Sequence, residues 1–395
     1  MNWLSQTAAV TGVTLRSIAQ RAGSSVVAII GIAGVVVVFI SVLSIAEGFS
    51  HAMRGTGDPR TVIVLRSGSD TEMTSGFGGE GARIITEAPG LERGAEGPLA
   101  SPELLVIVGH PLQRTGTDAN VPLRGLSEMA LKVRPGVRIV EGRMFRPGTN
   151  EIVVGRAASR QFAGLTVGST VRWGESSWQV VGMFDAGGSV AESELWCDAK
   201  VLQGAYRRGN SYQSVYGRLE SVDALDTFKD ALTTDPRVNA TVFREPDYYA
   251  QQSQVLQTVI RTVGFGIAGL MGLGAIFGAV NTMYSAVSNR TREIATLRAL
   301  GFGSGPVVIS VLAEATLLSI VGGLIGGAIA WAAFDGYQTA TMNWQSFSQV
   351  AFSFAVTPSL LFRAMIYALV MGLLGGLAPA VRAARLPVVT ALRQL

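Results

Sequence analysis

Uncharged apolar runs divide this chain into four stretches long enough to cross a membrane and one long polar insert. Residues 26–45, VVAIIGIAGVVVVFISVLSI, hold no charge, and a helix of that length, rising about 1.5 Å per residue, crosses about 30 Å of hydrocarbon. The run exceeds a signal-peptide core and no compact A-x-A site follows it, so a retained spanning helix is expected rather than a cleaved leader. The second stretch lies between Arg261 and Arg290. The third begins near Pro306, contains Glu314 and is uncharged from Ala315 to Phe334, and the fourth covers about Leu360 to Val381 with Arg363 near one end. The expected spans are 24–47, 259–288, 304–334 and 359–381. They leave an insert at 48–258, connections at 289–303 and 335–358, an amphipathic N-terminal segment at 1–23 and a tail at 382–395.

Polar and apolar positions alternate differently in the insert. TVIVLR at 61–66 and ELLVIVG at 103–109 are β-branched runs bounded by Gly, Ser and Pro, which predict strands, and GEGARIITEAP between them predicts a short helix ending before Pro89. SVYGRLE, VDALDTFKDALTT and VNATVFRE at 238–245 predict strand, helix, strand, with Leu225, Phe228 and Leu232 at helical spacing. The two segments are the halves of a split βαβ unit. From about 126 to 200, EIVVG, STVRWG and SWQVVGMF are short strands between Gly-containing turns and predict a second, mostly β lobe. The Gly- and Ser-rich segment 68–81, GSDTEMTSGFGGEG, predicts a mobile loop. From Pro246 to Thr262 the pattern turns helical, with Tyr248, Val255, Val259 and Val263 roughly on one stripe. This helix and an extension of the first span through SIAEGFSHAM (44–53) are expected to join the insert to the membrane as two rods.

Composition agrees with the spans: 48% of the 395 residues are hydrophobic and only 15% charged, against about 25% charged in an average soluble chain. The 48 glycines show no Gly-X-Y period, and the apolar share excludes extended disorder. A pI near 9.4 suggests nucleic acid until the charges are located. Residues 47–258 hold 22 Lys+Arg against 25 Asp+Glu, net −3, and the remainder holds 10 against 3, net +7. The surplus sits at Arg16 and Arg21, at Arg290, Arg292 and Arg298, and at Arg382, Arg385 and Arg393, whereas the 335–358 connection has no base. Basic short loops stay in the cytoplasm, so both termini are expected inside and the insert outside, with no nucleic-acid partner.

Motifs for catalysis are missing. None of Lys132, Lys200 and Lys229 is followed by Ser or Thr, so no GxxxxGK[ST] loop exists. His51 and His110 belong to no HExxH, and there is no GxSxG. The single cysteine, Cys197, excludes an intrachain disulfide and a cysteine zinc cluster; beside Trp196 it reads as a small buried hydrophobe. Glu314, the lone acid away from the end of a span, is expected to snorkel toward Arg298 or to pair with a neighbouring helix rather than to carry protons. No metal or cofactor site is expected on this chain.

The connection NRTREIATLRALGFGSGPVVIS (289–310) places Ile294, Leu297 and Leu300 at i, i+3, i+6, stops at Gly301 and restarts as a helix at Ser304-Gly305-Pro306. It predicts a short amphipathic helix that either fits a groove on a partner or lies on the membrane surface. Small-xxx-small spacings occur at Gly274/Gly278, Gly322/Gly326 and Gly323/Gly327; they allow close helix contact, with a second permease or within the chain.

One span, a large insert and three further spans, with REIATLRALGFG, the intramembrane Glu314-Ala315 and SIVGGLIGG, resemble the MacB/FtsX-type permeases of ABC transporters, the mechanotransmission (type VII) family. EIVVGR (151–156), LTVGSTV (165–171), WQVVGMF (178–184) and the closing ARLPVVTALRQL add to the likeness. MacB itself carries an ATPase that is missing here, and FtsX has a smaller external domain. The resemblance implies an α-helical membrane protein with four transmembrane helices and a mixed α/β extracytoplasmic domain made of a porter-like lobe and a β-rich lobe. It implies that Arg290 to Gly301 is a coupling helix, with Arg290, Arg292, Glu293, Ile294, Leu297, Arg298, Leu300 and Gly301 at the interface with a separate ATPase present in two copies, which binds ATP and Mg. It further implies residence in the bacterial inner membrane, a second permease, identical or paralogous, and room for a periplasmic membrane-fusion adaptor and an outer-membrane channel. Export or efflux from the periplasmic side is the expected role; the alternatives are an FtsX-like signalling scaffold or a permease that extracts lipoproteins or lipids.

Overall fold

The computed structural model describes residues 3–16, 22–54, 57–343 and 348–387; Arg21, Arg393 and the closing segment 388–395 fall outside these. The chain forms two compact units. One holds residues 1–47, 256–337 and 354–395, and the other residues 48–255 and 338–353.

The first unit is built on helices α1 (Trp3–Arg16), α2 (Ala22–Arg54), α5 (Glu245–Ser288), α6 (Thr291–Ala299), α7 (Ser304–Phe334) and α8 (Pro358–Ala384). Four stretches, Ser25–Met53, Leu256–Ser288, Ser304–Phe334 and Pro358–Ala384, are long and apolar enough to cross a membrane. Ile32, Val36, Phe39 and Ile40 of α2 pack with Ala330 of α7 and with Leu360, Ala364 and Ala368 of α8. Glycine lets α7 approach both neighbours. A Cβ at Gly326 would lie 2.6 Å from the Ala33 carbonyl oxygen, and Gly322 faces Ile29 and Ile32 of α2, while Gly323 and Gly327 face Met365 and Leu361 of α8. The α7 glycines therefore serve packing within the chain. Gly274 and Gly278 of α5 have open space before them, beside exposed Leu270 and Phe277.

The second unit is organised by one sheet. Strands β1 (Thr61–Arg66), β2 (Ala100–Pro111), β9 (Ser214–Arg218) and β10 (Ala240–Arg244) lie in the order β10-β1-β9-β2, all antiparallel, with α3 (Gly79–Glu87) following β1 and α4 (Ala224–Thr234) following β9. This is the expected split βαβ unit. Val62, Val64 and Val215 meet Ile85 of α3 and Phe228 and Leu232 of α4 in its core. Between β2 and β9 the chain inserts β3 (Asp118–Leu126), β4 (Arg138–Gly142), β5 (Glu151–Gly155), β6 (Thr170–Trp173), β7 (Ser176–Asp185) and β8 (Leu195–Asp198). They extend the sheet as β2-β3-β8-β5-β7-β4, with β6 on β7. The β-rich lobe begins earlier than residue 126, because Leu104, Val121 and Leu123 share its core with Ile152, Trp178 and Leu195. The long β2 serves both lobes. Its first four residues pair with β9 and the rest with β3.

One expectation needs correction in this unit, and one connection has structure of its own. The 68–81 segment is no free loop: Glu72–Thr74 form a 3-10 turn, Phe77–Gly78 pair with Ser211–Tyr212, and the buried Glu72 binds Arg124 on β3 at 2.6 Å. The 335–358 connection contains a hairpin, β11 (Gln338–Asn343) and β12 (Ser348–Ser353), whose Val350 and Phe352 are buried in the second unit. Ala351 N–H donates to Ser193 Oγ at 2.9 Å, and Phe352 meets Phe49 edge to face. Of the stripe on α5, Tyr248 is buried, Val259 and Val263 are exposed, and the Val255 side chain is outside the described set.

Candidate functional site

The connection between α5 and α7 is the best-defined candidate. After Ser288 the chain turns at Asn289 and Arg290, forms the nine-residue α6 and stops in a closed cap. Phe302 N–H donates to the Leu297 carbonyl and Gly301 N–H to the Arg298 carbonyl, both at 3.1 Å, with Gly301 at φ +93°. This paired cap needs a left-handed residue, which glycine supplies without a steric cost. Gly303 then leads into α7, its N–H donating to Gln6 Oε1 of α1 at 3.3 Å.

Side chains of α6 divide sharply by face. Ile294 is 7% exposed and packs with Met283, Val287, Val307 and Val311, and Ala295 is buried beside it. Arg290 is buried too: Nη1 lies 3.3 Å from Glu314 Oε2 and Nε 3.3 Å from Glu293 Oε2. Glu314 thus pairs with Arg290, on the preceding connection, and not with Arg298, whose guanidinium donates to the Ala384 carbonyl at the end of α8. A buried charge persists when it is paired, and this pair ties α6 to α7. The outer face carries Arg292, Glu293, Thr296, Ala299 and Leu300, the last 72% exposed.

The expected stripe of Ile294, Leu297 and Leu300 is therefore not one surface. At about 100° per residue, position i+6 sits about 120° around the helix from position i, so Leu300 faces away from Ile294. Ile294, expected in a partner's groove or on the membrane surface, is buried instead in the chain's own core. Leu297 is half-buried and lines a cavity of about 300 Å³ with Val10 and Thr14 of α1, Ile294, Val311 and Glu314. Residues of α1 were missed as neighbours of this site. Thr296 was missed on the outer face, although it stands four residues after Arg292 in a run whose helical register was legible.

Elsewhere, Cys197 is fully buried on β8 and burial pushes its thiol well above the usual range. His110 Nε2 lies 2.7 Å from the Ala163 carbonyl oxygen. Among the described residues no group of three His, Cys, Asp or Glu side chains could hold a metal ion.

Comparison with known families settles the class of protein. Residues 25–235 match the MacB-like periplasmic core domain and residues 265–388 match the FtsX-like permease C-terminal domain. The chain belongs to the MacB/FtsX family of ABC-transporter permeases. As such a permease it is a multi-pass bacterial membrane protein with a large α/β domain between its first and second spans. It is 24% identical to the uncharacterized ABC transporter permease YknZ of Bacillus subtilis over 392 residues, covering 92% of each chain. It is 25% identical to the macrolide export ATP-binding/permease protein MacB of Nitrosomonas europaea over 385 residues, 92% of this chain but 55% of that one. The permease thus spans about half the length of that relative. Among solved structures, the extracellular domain of YknZ from Gram-positive bacteria aligns over 46% of this chain and 99% of its own with 18% identity and a TM-score of 0.36. The periplasmic region of MacB from Actinobacillus actinomycetemcomitans aligns over 51% and 92% with 12% identity and a TM-score of 0.37.

Proposed function

We propose that this permease couples ATP hydrolysis on a separate ATPase subunit to conformational change in its extracytoplasmic domain, which drives export from the periplasmic side. The observation that carries the reading is the two-sided α6. One face is keyed into the spans through Ile294, Arg290–Glu314 and Arg298–Ala384, and the other offers Arg292, Glu293, Thr296 and Leu300. A helix held rigidly on one side and free on the other can convert a push from a partner into movement of the spans. The chain's own role is non-catalytic: ATP and Mg belong to the partner, present in two copies. The positive-inside distribution supports cytoplasmic termini and a cytoplasmic α6. The open apolar face of α5, with Leu270, Phe277, Gly274 and Gly278, suits a second permease.

The test is the double variant Arg292→Glu/Leu300→Asp. It should keep the four spans and the melting temperature, because both side chains are exposed, while the ATPase no longer co-purifies and its turnover no longer responds to the permease. Normal co-purification with full coupling would overturn the assignment. Orientation is read separately, by labelling a cysteine placed at Gly78 but not one placed at Arg292 with an impermeant reagent in intact cells.

A further inference from the structure

Around the first turn of α5 the described residues include more buried carboxylates than buried cations. Arg124 on β3 donates to Glu72, Glu103 and Glu194, and Arg134 grips Glu103 with two bonds of 2.7 and 2.8 Å while lying 4.0 Å over the Tyr216 ring. Two guanidiniums thereby satisfy three carboxylates. A fourth, Glu245, the first residue of α5, is 4% exposed in the same cluster. It faces Arg134, Glu103, Arg124 and Glu72, and no described residue donates a hydrogen bond to it. The Tyr249 hydroxyl, 3.1 Å from that of Tyr216, completes the ring of polar groups. On the remaining side the backbone of Gly57, at φ +98°, closes over the carboxyl, so that a Cβ there would lie 2.6 Å from Glu245 Oε2. Beyond Gly57, Asp58 faces Arg60 and Arg218.

With every group ionised the described residues of this buried cluster hold four negative charges against two positive ones, and a proton on Glu245 halves the surplus. We propose that Glu245 is a proton-operated latch: protonated, it packs beneath Gly57 and holds the first turns of α5 to the sheet, and loss of the proton drives this contact open. Burial supplies the bias. It pushes the Glu245 carboxyl up to about 7, against the pull of Arg134 and with the help of Glu103, so the latch works in the range an extracytoplasmic domain meets. The sign follows from linkage. A carboxyl near 7 when closed and near its ordinary value of 4.5 when open favours the closed state at low pH. The opening constant then rises about tenfold per pH unit between those values and levels off above the higher one.

Hydrogen exchange on the full chain in detergent tests this, with rates corrected for the intrinsic pH dependence of the amides. From pH 5 to 7 the protection of Tyr249–Ser253 and of the Thr61 amide, which donates to the Asp58 carbonyl, should fall about tenfold per unit and then hold steady. Amides of α4 should show no such trend. Glu245→Gln should flatten the profile at the protected end. A wild-type profile without the slope, or a Gln variant that keeps it, overturns the latch. If the Gln variant does not fold, Glu103→Gln removes a facing negative charge and should move the break to lower pH, and an unmoved break is equally fatal.

Discussion

Arg124 is the residue on which the charge cluster of the second unit turns, and its replacement by Met gives the most quantitative test of that cluster. The guanidinium is 2% exposed and makes five hydrogen bonds of 2.6–3.2 Å to Glu72, Glu103 and Glu194. Met fills the stem but supplies no charge. Glu103 keeps Arg134, whereas Glu72 and Glu194 lose their cation, and breaking a buried pair this way costs about 3–5 kcal/mol. For a unit of about 200 residues that is a fall of about 6–20 °C in melting temperature. The pH dependence is diagnostic. In the wild type burial pushes Glu72 up, but Arg124 and the Ser214 hydroxyl outweigh it and hold the carboxyl below its usual range. Its contribution is therefore complete above the unfolded value and is lost only in stronger acid. Without Arg124, burial outweighs what the Ser214 hydroxyl and Arg134 still supply to Glu72, so the variant recovers as pH falls, by up to about 1.4 kcal/mol per unit as Glu72 takes a proton. The assay is thermal unfolding at pH 8 and pH 5 followed by tryptophan fluorescence, since Trp196 Nε1 donates to Glu194 Oε2 at 2.8 Å and reports on the cluster directly. Equal melting at pH 8, or a gap that widens at pH 5, would refute the reasoning.

Three other outcomes follow from the packing. Ile294→Ala should destabilise the membrane unit by about 2–5 kcal/mol, measured as loss of the folded fraction in a detergent thermal scan, in contrast with Leu300→Ala, which should leave the scan unchanged. Gly326→Leu should separate α7 from α2 and abolish the folded monomer on size exclusion, because its Cβ meets the Ala33 carbonyl; Gly278→Leu, with open space before it, should leave the fold intact and weaken only permease pairing. Cys197 should resist maleimide in the native chain at pH 7.5 and react once urea unfolds the β-rich lobe, as mass spectrometry would show.

Local pattern made much of this architecture legible. TVIVLR announces a strand because it is a short β-branched run, buried on both faces, VDALDTFKDALTT announces a helix because its apolar face recurs at helical spacing, and Gly301 announces a helix end because only a left-handed residue closes that cap. What local pattern could not show depends on partners far along the chain. Glu72 sits among Gly and Ser, and its fixing group, Arg124, is 52 residues away; nothing near it in sequence separates a buried acid from a solvated one. The β11–β12 hairpin did leave a trace in the alternation of Val350 and Phe352, but the segment is short and buries that face only against residues such as Phe49. On α6, apolar residues at i, i+3 and i+6 looked like one stripe although helix geometry already puts i+6 about 120° around from i; tertiary burial adds which side is in, with Ile294 turned inward and Leu300 out.

The way β2 is divided between two lobes has a consequence for how the chain reaches its native state. Glu103 and Ser214 are opposite one another across β2 and β9, yet about 110 residues separate them, and closing a flexible loop of that length costs about 4 kcal/mol by chain statistics before any contact returns it. If the β-rich insert condenses first, its own sheet brings β2 near Leu104 and the start of β9 close together, and most of that entropy has already been lost. Productive folding should therefore run from the inside of the sequence outward: the inserted lobe first, then the split βαβ unit that brackets it. A lesion in the insert, at Trp178 for example, would then slow the assembly of strands it never touches.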